Sequence, residues 1–255
     1  MTVWYEKSFG RDYLALYPHR DNAEARSDVA AIVDLIAPPK DEPLLDLCCG
    51  AGRHLLALHE AGFDGLTGID LSQALLDVAR RQLDAAGGAG VRLLRSDMRE
   101  IPFSDHFATI LSLFTSFGYF SETEEDEAVL RATRGALRPR GTFLMDTLNR
   151  TWTVEHLIPR SEETIDGVRV AIRRTLSPDG LRVEKETRVE TEGEPPKVYH
   201  ESVRMYTADE MKEMLVRSGF VDVRFYGGLD GRPYGAARPR LIAVANREPR
   251  EEGGA

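Results

Sequence analysis

The run Leu44-Leu45-Asp46-Leu47-Cys48-Cys49-Gly50-Ala51-Gly52 constrains the fold more than any other segment of the chain. An apolar stretch suited to a buried strand gives way to small residues and glycine, and a second apolar stretch closes on Asp70. Strand, glycine loop, helix and a second strand ending on a carboxylate form a unit that can hold an adenosine. Glycine lets backbone approach a ligand, and an acid about twenty residues on accepts hydrogen bonds from ribose hydroxyls. A dinucleotide loop also needs a third small residue that brings the helix close to the pyrophosphate. Here Gly52 is followed by Arg53, His54 and Leu55, so that position carries Leu55 and the pyrophosphate reading weakens. A tight strand-to-helix turn accounts for the glycine pair equally well when taken alone. Asp70 is what favours a nucleoside site.

The surrounding pattern is one of short alternating elements. Strands are expected over 44–48, 65–69, 91–95, 108–113 and 141–147. Helices are expected over 28–36, 53–61, 72–86 with Ser72 as cap, and 122–137 ending at Pro139. Such alternation implies a parallel sheet with helices on both faces, because each parallel crossover needs a helix-sized connection. The pattern breaks at Asn149. Three β-like stretches, 168–176, 181–192 and 198–205, are separated by Pro178-Asp179-Gly180 and by Gly193-Glu194-Pro195-Pro196. A helix over 207–218 with a Thr207 and Glu210 capping box follows, then strands over 221–226 and 241–245. The expected organisation is an aromatic and helical cap (1–40), an α/β domain (41–149 and 207–247), an antiparallel β insertion (150–206) and a disordered tail (248–255).

Composition narrows the partners. With 255 residues, 42% hydrophobic and 29% charged, the chain suits one large core. A net charge of -9 argues against a broad nucleic-acid footprint, though not against a local basic patch. No apolar run reaches membrane-spanning length, and the start Met1-Thr2-Val3-Trp4-Tyr5-Glu6 lacks the basic and apolar regions of a signal peptide. The only cysteines are the neighbours Cys48 and Cys49, which read as buried thiols. The cytoplasm is the expected compartment. No Cys/His spacing suggests a metal.

The segment from Asp46 to Gly52 resembles the first motif of class I S-adenosylmethionine-dependent methyltransferases, an acid followed by three alternating glycines. It departs from that motif at Cys48, where the first glycine usually stands. The β-α alternation with a late helix and two closing strands is similar to the sheet of that class. The resemblance implies a Rossmann-like, doubly wound sheet of about seven strands, the last antiparallel, and covers residues 40–150 and 206–247. Together with Phe114-Thr115-Ser116-Phe117-Gly118-Tyr119 and Gly228-Leu229-Asp230-Gly231-Arg232-Pro233-Tyr234, the layout is similar to bacterial small-molecule enzymes, sugar-amine and glycine N-methyltransferases among them.

That resemblance implies S-adenosylmethionine as cofactor and assigns residues to it. Asp46, Cys48, Gly50 and Gly52 would line its amino-acid end, Asp70 would accept from ribose with Leu71 packing the adenine, and Asp97 would accept from the adenine amino group beside Met98. Phe114 and Tyr119 would face cofactor and acceptor. From the aromatic N-terminus, Tyr5, Tyr13 and Tyr17 are candidates for the cofactor carboxylate, Tyr13 foremost, with Arg20 and Arg26 supplying charge. Each has a plainer alternative: Asp70 a helix start, Asp97 a turn, the 114–120 stretch core. The insertion is read as a lid presenting Asn149, Arg150, Trp152, His200, Tyr206, Tyr226 and Tyr234 to a small-molecule acceptor, or else as a surface pairing a homodimer. No residue announces itself as a general base; His200, Tyr119 and Asp230 are the candidates. The Asn/Asp-Pro-Pro-Tyr motif of enzymes acting on amide or base nitrogens is replaced by Leu113-Phe114-Thr115-Ser116. Methyl transfer to nitrogen or oxygen of a small molecule is therefore expected. A protein or RNA methyltransferase and a non-catalytic adenosine-binding module remain as alternatives.

Overall fold

The computed structural model describes residues 4–10, 22–165 and 167–249. The strands are Leu44–Leu47 (β1), Leu66–Asp70 (β2), Arg92–Arg95 (β3), Phe107–Ser112 (β4), Leu137–Leu148 (β5), Arg160–Ile165 (β6), Val168–Leu176 (β7), Arg182–Glu190 (β8), Lys197–Arg204 (β9), Phe220–Tyr226 (β10) and Arg240–Arg247 (β11). The helices are Trp4–Ser8 (α1), Asn22–Ile36 (α2), Arg53–Glu60 (α3), Gln73–Ala85 (α4), Thr123–Ala136 (α5), Arg150–His156 (α6) and Ala208–Arg217 (α7).

Seven strands form the main sheet in the order β10-β11-β5-β4-β1-β2-β3. Its central members β1 and β4 are buried along their whole length, which is why they read as unbroken apolar runs. β11 runs antiparallel to both β5 and β10, and the other neighbours pair in parallel. Ala25, Val29 and Ile32 of α2 join Leu55, Leu58, Leu76 and Leu83 of α3 and α4 in one cluster of the core. Val129, Leu130, Met211 and Leu215 of α5 and α7 belong to the other. The chain leaves β1 toward β2 and β3, then returns to place β4 on the opposite side of β1. This reversal opens a crevice beyond the carboxyl ends of β1 and β4.

Local signals set the helix starts as expected. Ser72 Oγ accepts from Leu75 N (3.3 Å), and both halves of the Thr207 and Glu210 capping box are formed. Beyond Asn149 the chain departs from expectation. Asn149 caps α6 by accepting from Thr151 N (3.1 Å), and the second sheet has four antiparallel strands, β6-β7-β8-β9, rather than three. The extra strand, β6, is exposed over all but its last residue and carries no apolar alternation to announce it. This sheet docks on the β4–α5 loop. Arg204 N donates to Gly118 O (2.7 Å), Arg182 Nη1 to Phe120 O (2.9 Å) and Nη2 to Gly118 O (3.1 Å). Gly118 sits at φ +86°, and a side chain there would strike the Arg204 carbonyl. No helix among the described residues is long and apolar enough to cross a membrane.

Candidate active site

The crevice widens into a cavity of about 540 Å³ walled by four strand ends and by α1. At the first strand end the chain turns through left-handed backbone at Cys48 (φ 63°) and Gly50 (φ 55°). The cysteine thus adopts the conformation for which glycine is the usual residue. Its Sγ lies 3.7 Å from Met98 Sδ, and burial pushes both thiols, Cys48 and Cys49, well above their ordinary pKa. Gly52 is not part of the wall. A Cβ on it would stand 2.8 Å from Ala79 Cβ, so glycine there lets the loop pack on α4. Leu55 is fully buried, and its Cδ1 occupies space that a Cβ on Gly68 would need. The position a dinucleotide fold keeps small is thus filled by a side chain inside the core.

Three aspartates line the cavity in three different electrostatic states. Asp70 Oδ2 accepts from Gly50 N and Oδ1 from Ser72 N, both at 2.8 Å. Burial raises its pKa despite these bonds and a further backbone bond from Leu71, and a carboxylate with three donors still has acceptor capacity left. Asp97 is gripped by Arg99, which donates to Oδ1 from N (2.8 Å) and Nε (3.0 Å) and to Oδ2 from Nη2 (2.7 Å). Burial opposes ionisation of Asp97, but the Arg99 bonds and charge outweigh it and hold the carboxyl below its ordinary value. Asp46 is pushed up to about 6, mainly by burial and against the pull of His54. Its Oδ2 has no hydrogen-bond partner among the described residues. Arg53 Nη2 is a second buried orphan on the same cavity, although Nη1 of that side chain pairs with Glu24 (2.6 Å). No group of three metal-ligating side chains occurs among the described residues.

The fourth wall is a strained corner. Phe114 and Thr115 both have positive φ, 58° and 64°. Asp146, at the end of β5, accepts from Phe114 N (3.2 Å) with Oδ2 and from Arg240 Nε (2.6 Å) with Oδ1, and Arg240 Nη2 reaches Thr115 Oγ1 (3.0 Å). The Phe114 ring is capped by the Arg53 guanidinium at 4.1 Å. Tyr119 leans on the rings of Trp4 (5.0 Å) and Phe9 (5.7 Å), so α1 closes the cavity beside Tyr5.

Asp46, Cys48, Gly50, Asp70, Leu71, Asp97, Met98, Phe114 and Tyr119 therefore meet at one cavity. Tyr13, Tyr17 and Arg20 lie outside the described residues. The other acceptor and base candidates are placed elsewhere. Asn149 is fully buried, donating from Nδ2 to Gly235 O (3.0 Å) and Arg238 O (2.8 Å) while its Oδ1 accepts from Tyr234 OH (3.3 Å). Both residues thereby hold the loop before β11. Trp152 stacks on His156 at 4.6 Å, one turn along α6. Tyr206 donates to Asp126 Oδ2 (2.6 Å) in a buried bond between the link from β9 to α7 and α5. The His200 side chain is 66% exposed, and Asp230 pairs on the surface with Arg232. Arg26 pairs with Glu60 at the surface, Arg150 with Glu210. Sequence reasoning did not single out Arg53, Arg99 or Arg240. Only Arg53 had a local signal, its place directly after the glycine loop.

The fold is that of a class I methyltransferase domain, and residues 44–141 match the family described as methyltransferase domain. The chain is 29% identical over 160 residues to a dTDP-3-amino-3,4,6-trideoxy-alpha-D-glucopyranose N,N-dimethyltransferase of Streptomyces venezuelae, a match covering 60% of this chain and 65% of that protein. It is 31% identical over 150 residues to a dTDP-3-amino-3,6-dideoxy-alpha-D-glucopyranose N,N-dimethyltransferase of Streptomyces fradiae, covering 59% and 51%. The chain thus spans less than two thirds of either curated relative. Among solved structures it is similar to a SAM-bound amino pentose methyltransferase of Micromonospora echinaspora involved in calicheamicin biosynthesis. That comparison has a TM-score of 0.67, with 26% identity over 93% of this chain and 97% of that one.

Proposed function

We propose that the protein transfers the methyl group of S-adenosylmethionine to the nitrogen of a small-molecule amine. The observation that carries this reading is the pair of buried orphans on one cavity, Asp46 Oδ2 and Arg53 Nη2. Unpartnered buried polar atoms are costly, and an α-amino acid offers a partner to each, its ammonium to Asp46 Oδ2 and its carboxylate to Arg53 Nη2. The spare lone pairs of Asp70 suit ribose hydroxyls. An adenosine joined to an α-amino acid has the composition of S-adenosylmethionine, whereas a nicotinamide dinucleotide has no amino-acid end.

When bound, the cofactor supplies an already electrophilic methyl group. The protein's work is then alignment and exclusion of water, and orientation alone is worth up to roughly 7–11 kcal/mol. Tyr5, Phe9 and Tyr119 cover the cavity, and Asp46, Arg53 and Asp70 fix the donor. The second sheet, part of the 150–206 lid in this reading, braces the Tyr119 loop through Arg182. An amine acceptor is supported by the activities of the two N,N-dimethyltransferase relatives and by the Phe114-Thr115 corner, which has no Pro-Pro-Tyr. The reduced, buried thiols of Cys48 and Cys49 fit the cytoplasm, the compartment proposed here.

Thermal unfolding with added ligand tests the reading, since a ligand selective for the folded state raises Tm. S-adenosylhomocysteine is expected to shift Tm well beyond 5′-methylthioadenosine, which lacks the amino-acid end, and NADH is expected to shift it least. A larger shift with NADH than with S-adenosylhomocysteine would overturn the proposal.

A further inference from the structure

A second cavity of about 330 Å³ abuts the first and shares Tyr5, Tyr119 and Phe120 with it. Its remaining wall is Trp4 from α1, Ser121 from the β4–α5 loop, Glu125 from α5, and Arg182 with Ser202 from the second sheet. The rings are fixed against each other: Trp4 on Tyr119 at 5.0 Å and Tyr5 on Phe120 at 5.7 Å. Three aromatic residues are thus common to the walls of the two chambers.

The chemistry of this wall is one-sided. Its cation, Arg182, is committed to protein acceptors: Nε to Ser202 Oγ (2.8 Å), Nη1 to Phe120 O (2.9 Å) and Nη2 to the carbonyls of Gly118 and Ser202 (both 3.1 Å). Nearby Arg99 lies over the Phe120 ring at 4.3 Å and is likewise occupied, two of its nitrogens by Asp97 and Nη1 by Glu125. Glu125 uses only Oε1 in that pair, at 2.6 Å, so the carboxylate's other oxygen can take a donor from the chamber. Aromatic faces with one available carboxylate favour a cation, whereas a phosphate would find no arginine free to grip it.

We infer that this second cavity is the acceptor chamber, and that it selects a small aliphatic amine by pairing its ammonium with Glu125 beside the rings of Trp4 and Tyr119, the carboxylate taking the proton that the nitrogen must lose before it attacks. The inference rests on the methyltransferase reading above and adds to it where the acceptor sits and which charge it bears. It also gives the second sheet a part in substrate choice, because Arg182 and Ser202 form one side of the chamber while Arg182 holds the Tyr119 loop in place.

Calorimetric titration of the protein saturated with S-adenosylhomocysteine tests it, with cyclohexylamine, cyclohexanol and cyclohexyl phosphate as probes of one shape and three charges. The amine is expected to bind at least tenfold tighter than the alcohol, and the phosphate not to bind. Glu125→Gln keeps an acceptor for Arg99 and should cost the amine at least tenfold, leaving the alcohol unaffected. Trp4→Ala should weaken amine and alcohol alike. S-adenosylhomocysteine affinity measured in parallel should stay within twofold in both variants. Equal binding of amine and alcohol, tighter binding of the phosphate, or an indifferent Glu125→Gln overturns the chamber while the cofactor reading stands. Failure of S-adenosylhomocysteine itself to bind overturns both.

Discussion

Asp46 shows how a single side chain trades stability for a site. Its carboxyl is buried with one oxygen unpaired, and its pKa is pushed up to about 6. A raised carboxyl pKa means that the folded chain holds the proton more tightly than the unfolded one. Stability therefore falls as pH rises between about 4 and about 6, by about 3 kcal/mol for a shift of two pKa units, and is level above that. Asp46→Asn removes the cost of the buried charge. The variant is expected to melt higher than the parent at pH 7 and to lose less stability across that pH window, while binding S-adenosylhomocysteine at least tenfold more weakly. Some slope should persist, since Asp126 is also buried and raised to about 6. A variant that melts lower at pH 7 would show that the charge is already compensated. The three aspartates of the cavity were legible in the sequence because Asp70 and Asp97 stand at or just after strand ends and Asp46 lies in the apolar run that breaks into the glycine loop. The role of Arg53 was not: it depends on the Phe114 ring beneath it and on Glu24 in another helix, neither close to it in the chain.

At the scale of elements, the corner after β4 is the part most dependent on its neighbours. Two consecutive residues with side chains hold positive φ, one of them β-branched, a conformation costing roughly 1–2 kcal/mol per residue. Asp146 and Arg240, from β5 and β11, provide the bonds that keep it there. Arg240→Met is expected to lower stability by about 1–3 kcal/mol, discounted for an arginine still partly exposed, and to weaken S-adenosylhomocysteine binding severalfold as Phe114 relaxes. Unchanged melting and affinity together would show that the corner holds itself. The parallel strands were legible because burial on both faces writes a continuous apolar run, and α7 because its capping box stands in the sequence. β6 and α6 were not. Arg160–Ile165 is almost wholly polar, and Arg150–His156 is too short to display a helical period. Trp152 and Tyr206 read equally as acceptor contacts or as anchors of the insertion for a related reason: an aromatic residue near a chain break looks alike whether it anchors a sheet or meets a ligand.

Across the whole molecule the two sheets meet at one seam, where Gly118, Arg182 and Arg204 interlock and Tyr206 bonds to Asp126. Gly118→Ala puts a methyl group on the Arg204 carbonyl at a backbone angle that alanine resists. A loss of about 2 kcal/mol or more is expected. Hydrogen exchange should rise in the loop from Leu113 to Ser121 and in β9, and stay unchanged in β1 and β2. Exchange spread evenly over both sheets would mean that the seam is not a separate unit. The main sheet has a further property that follows from its strand order. β11, interior to the sheet, is the only partner of β10 and one of two partners of β5, yet of the eleven strands it is the one the ribosome makes last. While Arg240–Arg247 is still inside the exit tunnel, β10 has nothing to pair with and β5 shows a bare edge, the kind of surface on which nascent chains stick to one another. Closure of this sheet thus waits until β11 has emerged, and a chain that lacks this strand loses an inner plank rather than an outer one.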